Sequence, residues 1–184
     1  MKNLRILPPL VMVLTLVLLL PSQMGCDLID KIKGLETFDV DVTVSDYITV
    51  DLGENDDTKV FEQVTINPKT HPDLVDYIND ISSMELVEAY VTTTQWFNGS
   101  QDITFTGTVS LGPVGESYTD IRPADYLGGA IMYLNLDQSD LDDINADLNA
   151  DKEIVAKVDG FVSAVPVSFE LKITVVMVVE VETK

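Results

Sequence analysis

Apolar and polar residues alternate along much of this chain, starting near residue 38. The apolar members of the first run are Phe38, Val40, Val42 and Val44. Such alternation predicts a β-strand with one buried face and one solvated face. The pattern breaks at "SDY" (45–47) and resumes over 48–52. The turn-rich "GENDDT" then leads into another strand-like run at 60–66.

Two further alternating regions, 86–97 and 103–111, flank the dipeptide Asn98-Gly99. Because both residues of an Asn-Gly pair tolerate positive φ, this arrangement predicts a β-hairpin. The last alternating run, 167–181, becomes apolar on both faces around "VVMVV". That change predicts a central strand, or one whose second face is covered.

Two segments have helical spacing instead. In "THPDLVDYINDI" (70–81), Thr70 is a candidate N-cap, and in "SDLDDINADLNAD" (139–151) the candidate is Ser139. Apolar residues share one face of each predicted helix; they are Leu74, Ile78 and Ile81, and then Leu141, Ile144 and Leu148. The chain is therefore predicted to be mainly β, an antiparallel β-sandwich or curved sheet with two short helices packed on it.

The N-terminus follows a different pattern. Lys2 and Arg5 precede an apolar stretch at 10–20, and "PSQMGC" follows. A helix that spans a bilayer needs about twenty residues, and this stretch is about half that length. The pattern therefore favours an export signal over a membrane span.

The surroundings of the single cysteine resemble the lipobox of bacterial lipoproteins. Gly25 matches the small residue before the cut, and Cys26 matches the acylated cysteine that becomes the new N-terminus. Gln23 and Met24 depart from the usual residues of that motif. The resemblance covers residues 1–26 and implies lipidation at Cys26. The alternatives are an unprocessed short anchor and a secreted protein with one free thiol.

This interpretation divides the chain into three parts: a signal peptide at 1–25, the lipidated cysteine with a short tether at 26–36, and a single β-rich domain at 37–184. The expected location is the bacterial cell envelope, with the protein lipid-anchored outside the cytoplasm on the periplasmic face or at the cell surface. After cleavage, nine basic side chains remain against 31 acidic ones, a balance of −22. Such a chain should repel nucleic acid, whose binding depends on lysine and arginine neutralising phosphates.

The acidic residues raise the question of a metal site. "DINADLNAD" (143–151) begins like an EF-hand calcium loop, but Leu148 occupies the position that requires glycine, so a helix is the better interpretation. An acidic turn offers a second candidate for calcium, formed by Asp51, Glu54, Asp56 and Asp57. A solvated loop explains the same residues. No other cofactor is predicted.

Trp96 and Phe97 are the candidate ligand-binding residues, because adjacent strand residues point to opposite faces and one of the two can be exposed near a loop. An exposed aromatic side chain can stack on a sugar or anchor a protein partner. The alternative is that both rings pack within the domain. No catalytic residue is predicted: His71 is the only histidine, and no "GxSxG" turn is present.

Together these observations favour a lipid-anchored cell-envelope lipoprotein that acts as a non-enzymatic binding or assembly module. Its predicted partners are the membrane, through the anchor, and another envelope protein or a glycan. The alternative is a carbohydrate-binding or carbohydrate-acting envelope protein that uses Trp96 and acidic side chains.

Overall fold

Alternating sequence produces strands through most of the computed structural model, which describes residues 37–182. In this part of the chain the strands are β1 (Thr37–Leu52), β2 (Lys59–Ile66), β3 (Ile81–Asn98), β4 (Phe105–Leu111), β5 (Val114–Ile121), β6 (Met132–Tyr133), β7 (Ile154–Val162) and β8 (Val167–Glu182). Sheet 1 has the order β1-β8-β3-β6, and sheet 2 has the order β2-β7-β4-β5. All pairings in both sheets are antiparallel. The predicted mainly β fold with short helices is confirmed, whereas the signal peptide, Cys26 and the tether lie outside the described residues.

Strand β8 is the centre of sheet 1, as its apolar sequence predicts. It pairs with β1 along its whole length, from Glu182 opposite Thr37 to Val167 opposite Leu52. On its other side it pairs with β3. Its inward side chains, such as Phe169, are buried against apolar residues of sheet 2. This burial removes a large apolar area from water and is the main stabilising contribution to such a fold.

Strand β1 runs without interruption through "SDY", where the sequence predicted a break. Asp46 takes an inner-face position between Val44 and Ile48, and its Oδ1 accepts a hydrogen bond from the Tyr47 N–H at 2.8 Å. The alternation therefore continues in register, with a half-buried carboxylate in place of an apolar side chain. A charge that points inward on an edge strand also discourages pairing with other chains.

The hairpin predicted at Asn98-Gly99 is wrong, because β3 belongs to sheet 1 and β4 to sheet 2. Gly99 does adopt a positive φ of 88°. The loop it begins is too long for a two-residue hairpin turn, and it carries the chain from one sheet to the other. The tight hairpin lies instead between β4 and β5, where Gly112, with φ of 57°, and Pro113 connect the paired residues Leu111 and Val114.

The first predicted helix consists of two short 3-10 segments, Pro68–Thr70 and Val75–Tyr77. Its cap is Asn67, whose side chain accepts from the Lys69 N–H at 3.0 Å, and not Thr70. The backbone bonds that follow are of the i to i+3 kind: the N–H groups of Leu74, Tyr77 and Asp80 donate to the carbonyls of His71, Leu74 and Tyr77. Of the predicted apolar face only Leu74 is fully buried.

The second predicted helix is present as α1 (Gln138–Asp151). Its cap is Asp137, which forms a capping box with Asp140, two residues before the predicted cap at Ser139. Ile144 and Leu148 are fully buried, as the helical interpretation of "DINADLNAD" requires.

The asparagines of that helix bind the edge of β3. Asn145 Oδ1 accepts from the Leu86 N–H at 2.7 Å, and Asn149 bonds both the N–H and the C=O of Met84 at 2.8 Å. These bonds take the place of a neighbouring strand, so this part of β3 does not present free backbone groups to other chains.

Candidate functional site

The two predicted aromatic residues lie near the end of β3 and point in different directions. Trp96 is half-buried, and its ring stacks on Phe169 with centroids 5.1 Å apart and an interplanar angle of 9°. Its Nε1 donates to the Gly99 carbonyl at 3.0 Å. Phe97 is 54% exposed. Trp96 thus packs in the domain and holds the loop after β3, and only Phe97 is available for a ligand.

The predicted acidic turn joins β1 to β2. The Asp56 carboxylate accepts from the Gly53 N–H at 2.6 Å, which closes the turn. Within residues 37–182, no three histidine, cysteine, aspartate or glutamate side chains are grouped closely enough to hold an ion. The calcium hypothesis for Asp51, Glu54, Asp56 and Asp57 stays a prediction.

His71 lies between the two 3-10 segments. Its Nδ1 accepts from the Asp73 N–H at 3.3 Å and is 3.8 Å from an Asp73 carboxylate oxygen. This arrangement orients the turn before β3.

A concave surface lies on the outer face of sheet 1, where strand register aligns side chains in two rows. In the first row, Ser45 is opposite Thr174, which is opposite Tyr90, which is opposite Tyr133. In the second row, Tyr47 is opposite Lys172, which is opposite Thr92. Residues directly opposite in an antiparallel sheet lie on the same face and within side-chain contact distance. We call these two rows, with Thr94, the sheet 1 platform.

Some platform side chains are held in place by contacts with one another, and others are exposed to solvent. Ser45 and Thr174 share a hydrogen bond of 2.9 Å, and the rings of Tyr90 and Tyr133 meet edge to face with centroids 6.0 Å apart. Tyr47 and Tyr133 remain about half exposed. The surface therefore offers aromatic rings and hydroxyl groups in positions set by the sheet.

A loop borders the platform and converts it into a groove of about 440 Å³. The groove is lined by Tyr90, Thr92, Thr93, Thr94, Gly128, Gly129, Ile131, Lys172 and Thr174. The segment Pro123–Gly129, which has 3-10 turns interrupted by the non-helical residues Leu127 and Gly128, leads into this border; the buried Thr93 hydroxyl fixes it to β3 by a hydrogen bond to the Pro123 carbonyl. Gly128 and Gly129 have φ of 70° and 95°, a conformation that favours glycine. The volume falls within the usual range of small-ligand sites.

Lys172 is the cation of this groove. Within the described residues its ammonium has no carboxylate within 4.0 Å. The nearby Glu170 accepts a hydrogen bond from Thr94 Oγ1 at 2.6 Å. The charge of Lys172 is therefore available to a ligand, in a chain whose overall charge is strongly negative.

The space between the sheets is a less suitable ligand site. One apolar cavity there, lined by residues such as Val91, Phe105 and Phe169, has a volume of about 20 Å³. This is close to the space that a single water molecule requires.

A fully bonded carboxylate lies on β5. Glu116 accepts from the Tyr118 hydroxyl at 2.7 Å, from the Asn135 N–H at 2.9 Å and from Asn135 Nδ2 at 2.8 Å. Burial raises the pKa of Glu116, but the hydrogen bonds from Tyr118 and Asn135 together outweigh burial and bring this pKa below its usual value. For Tyr118, burial and the hydrogen bond to Glu116 raise the pKa well above its usual value. The cluster ties the segment between β6 and α1 to sheet 2.

None of the platform residues was predicted from the sequence to belong to a site. They come from four separate strands, and the polar side of each strand, taken alone, is typical of an ordinary solvated face. The run "TTT" at 92–94 beside Tyr90 is the one local signal, because threonine and tyrosine are common at sites that bind hydroxyl-rich ligands. The contribution of residues 128–131 to the groove has no local sequence signal, because it depends on tertiary structure.

Comparisons with known proteins do not assign this chain to a family. No protein-family model matches it, and no curated protein matches it. One solved structure, described as "Cryo-EM structure of Mud crab tombus-like virus at 3.3 Angstroms resolution", covers 100% of this chain and 91% of its own, with 10% identity and a TM-score of 0.38. A likeness of that size carries no argument about function. In residues 37–182, the helices are too short or too polar to cross a bilayer.

Proposed function

We propose that this protein is a lipid-anchored, non-enzymatic binding module of the bacterial cell envelope, and that it binds its ligand in the sheet 1 groove. The observation that carries the binding role is the groove itself, which combines the ring of Tyr90, threonine hydroxyls and Lys172, whose ammonium has no carboxylate within 4.0 Å among the described residues. Binding sites of this kind contain a few polar groups held in fixed positions by rigid elements. Here the fixed positions come from the central strands β3 and β8.

The anchor is supported by the lipobox-like sequence that ends at Cys26. Acylation of that cysteine would hold the domain outside the cytoplasm, on the periplasmic face or at the cell surface. Several acyl chains on one residue give stable attachment, whereas a single chain gives only reversible attachment.

Labelling with radioactive palmitate in a bacterial host tests the anchor. The wild type should incorporate label and fractionate with membranes, and Cys26→Ser should lose both properties. Gly25→Ala keeps a small residue before the cysteine and should retain both. Equal labelling and membrane attachment in Cys26→Ser would end the lipoprotein hypothesis.

The binding role is tested in the membranes where the protein is anchored. Chemical crosslinking of the full-length chain, followed by mass spectrometry, should recover one envelope protein or glycan in near-equal amount. Thr94→Trp, which fills the groove with a bulky ring, should reduce that recovery. Thr119→Trp, on the outer face of sheet 2, should not. Equal recovery from both variants would contradict binding in the groove.

A second candidate function, carbohydrate binding, is favoured by one further observation. Tyr47, Tyr90 and Tyr133 lie on the same face as the platform threonines. Aromatic faces pack against sugar rings while hydroxyls and lysine bond the sugar oxygens. Because the groove is lined by binding groups of this kind, we propose the binding form of the carbohydrate hypothesis over a carbohydrate-acting one.

A further inference from the structure

The position of Lys172 limits the chemistry of a ligand in the groove. It is on the central strand β8, flanked across the sheet by Tyr47 and Thr92. Its two neighbours on the same face of β8 are Glu170, which is bonded to Thr94, and Thr174, which is bonded to Ser45. The cross-strand neighbours of the lysine are thus uncharged, and its one acidic neighbour on the same face of β8, Glu170, accepts from Thr94 and, among the described residues, lies more than 4.0 Å from the ammonium.

Lys172 is half-buried as a residue, and an ammonium that has no carboxylate partner among the described residues is suited to an anionic group on a ligand. Hydrogen bonds between an ammonium and a carboxylate are shorter and stronger than those between neutral groups. The surrounding hydroxyls and rings suit a sugar, and a carboxylate-bearing sugar satisfies both requirements at once.

The charge of the whole chain limits how acidic this ligand can be. The part after the predicted cleavage site has a balance of −22 from side chains. A polyanion would be repelled over distances of about one Debye length, roughly 8 Å at physiological salt. A single acidic sugar in an otherwise neutral glycan would gain the contact with Lys172 and avoid most of that repulsion.

Resting on the proposed binding function, we propose that the sheet 1 groove binds a glycan through one carboxylate-bearing sugar, and that Lys172 is the residue that selects the carboxylate. The sugar ring packs against Tyr90, and the threonines at 92 and 94 bond its hydroxyls.

The test measures binding of the full-length, detergent-solubilised protein to a pair of matched probes. One probe is a disaccharide that joins a neutral sugar to a terminal glucuronic acid, and the other is its methyl ester, which has the same rings without the charge. The wild type should bind the acid about tenfold or more tightly than the ester, as expected for a charge-assisted hydrogen bond.

Three variants show whether Lys172 is responsible. Lys172→Gln should remove the preference for the acid, and Lys172→Arg should retain most of it because the charge is kept. Lys157→Gln makes the same change on the half-buried Lys157 of sheet 2 and should have no effect on the preference.

Two results would overturn the inference. If acid and ester bind equally, or if Lys172→Gln keeps the preference, then Lys172 does not select a carboxylate, although the protein can still be a glycan-binding module. If neither probe binds at millimolar concentration, the groove is not a site for an acidic sugar of this kind. The lipid-anchored binding function is then decided separately by the palmitate and crosslinking experiments.

Discussion

The outer faces of sheet 1 and sheet 2 are both rich in threonine, and each carries a half-buried lysine. On sheet 2, Lys157 shares its face with exposed Phe61 and Phe161. On sheet 1, Lys172 lies among tyrosines and threonines in a groove bordered by residues 128–131. Strand alternation gives both sheets a solvated face. The difference comes from a non-strand segment that borders only the sheet 1 platform, and from the side chains that register places beside each lysine.

The inner faces of the sheets should be far more sensitive to substitution than either outer face. Phe169→Ala removes a fully buried ring from β8 together with its stacking on Trp96. We expect it to lower the free energy of unfolding by about 3–5 kcal/mol. Urea unfolding of the full-length protein in detergent measures the change. Phe161→Ala, at a position 54% exposed on sheet 2, serves as control and should cost less than about 1 kcal/mol. Similar losses in the two variants would contradict this description of the core.

Backbones pack closely in sheet 2, where Gly107 and Gly160 are paired under the ring of Phe105. A Cβ at Gly160 would lie 2.6 Å from the Gly107 Cα and 2.9 Å from Phe105 Cε2. Gly160→Ala should therefore destabilise the domain by about 1–3 kcal/mol through overpacking. Gly53→Ala, where a Cβ meets only the Asp56 side chain at 3.3 Å, should cost less. Unfolding curves for the two variants that coincide would argue against this contact.

The edge of sheet 1 depends on α1 for its hydrogen bonds. Asn149→Ala leaves the Met84 N–H and C=O without their side-chain partner. We expect a loss of about 1–2 kcal/mol, since the site is half-buried and water can replace part of the bonding. Amide hydrogen exchange should rise at Met84 in this variant. Asp143→Ala, on the exposed side of the same helix, should leave that exchange rate unchanged; acceleration in both variants would point to general fraying of α1.

The smallest expected loss of stability comes from the segment that links β6 to α1, and it depends on pH. The pKa of folded Glu116 is lowered from its ordinary value of 4.5. Its contribution to stability is therefore complete above that value, and it is lost as the pH falls through the lower, folded pKa. Glu116→Gln should destabilise the protein at about pH 7 and approach the wild type once the pH has fallen below the folded pKa of Glu116. Glu62→Gln, at an exposed position on β2, controls for the loss of one charge. A Glu116→Gln deficit that persists at low pH would show that the carboxylate charge is not what stabilises the cluster.

The local sequence pattern was sufficient to predict much of the fold. Alternation predicted β1, β3 and β8, and helical spacing predicted α1, because side-chain burial in those elements follows a single period. The local pattern gave wrong predictions where contacts with residues distant in sequence decide the structure. Asp46 continues a strand at a position where its charge predicted a break, and Asn98-Gly99 connects two sheets because β3 pairs with β8 and not with β4. Two short 3-10 segments take the place of the first predicted helix.

The candidate site was harder to predict than the fold. Trp96 and Phe97 were chosen because they precede a turn signal, but Trp96 packs on Phe169. The groove depends on register across β1, β8, β3 and β6, and register between distant strands cannot be read from one sequence. Lys172 is distinctive only because its cross-strand neighbours are uncharged, which the sequence alone does not show.

The most direct test of ligand binding through sheet 1 is photo-crosslinking from matched positions on the two outer faces. A photoreactive amino acid is placed at Thr94, in the sheet 1 groove, or at Thr119, which is exposed on β5 of sheet 2, in the full-length protein anchored in native membranes. We predict a specific adduct, whether protein or glycan, from Thr94 and none from Thr119. An adduct from Thr119 alone, equal adducts from both positions, or none from Thr94 would contradict the claim that this protein binds its ligand through sheet 1.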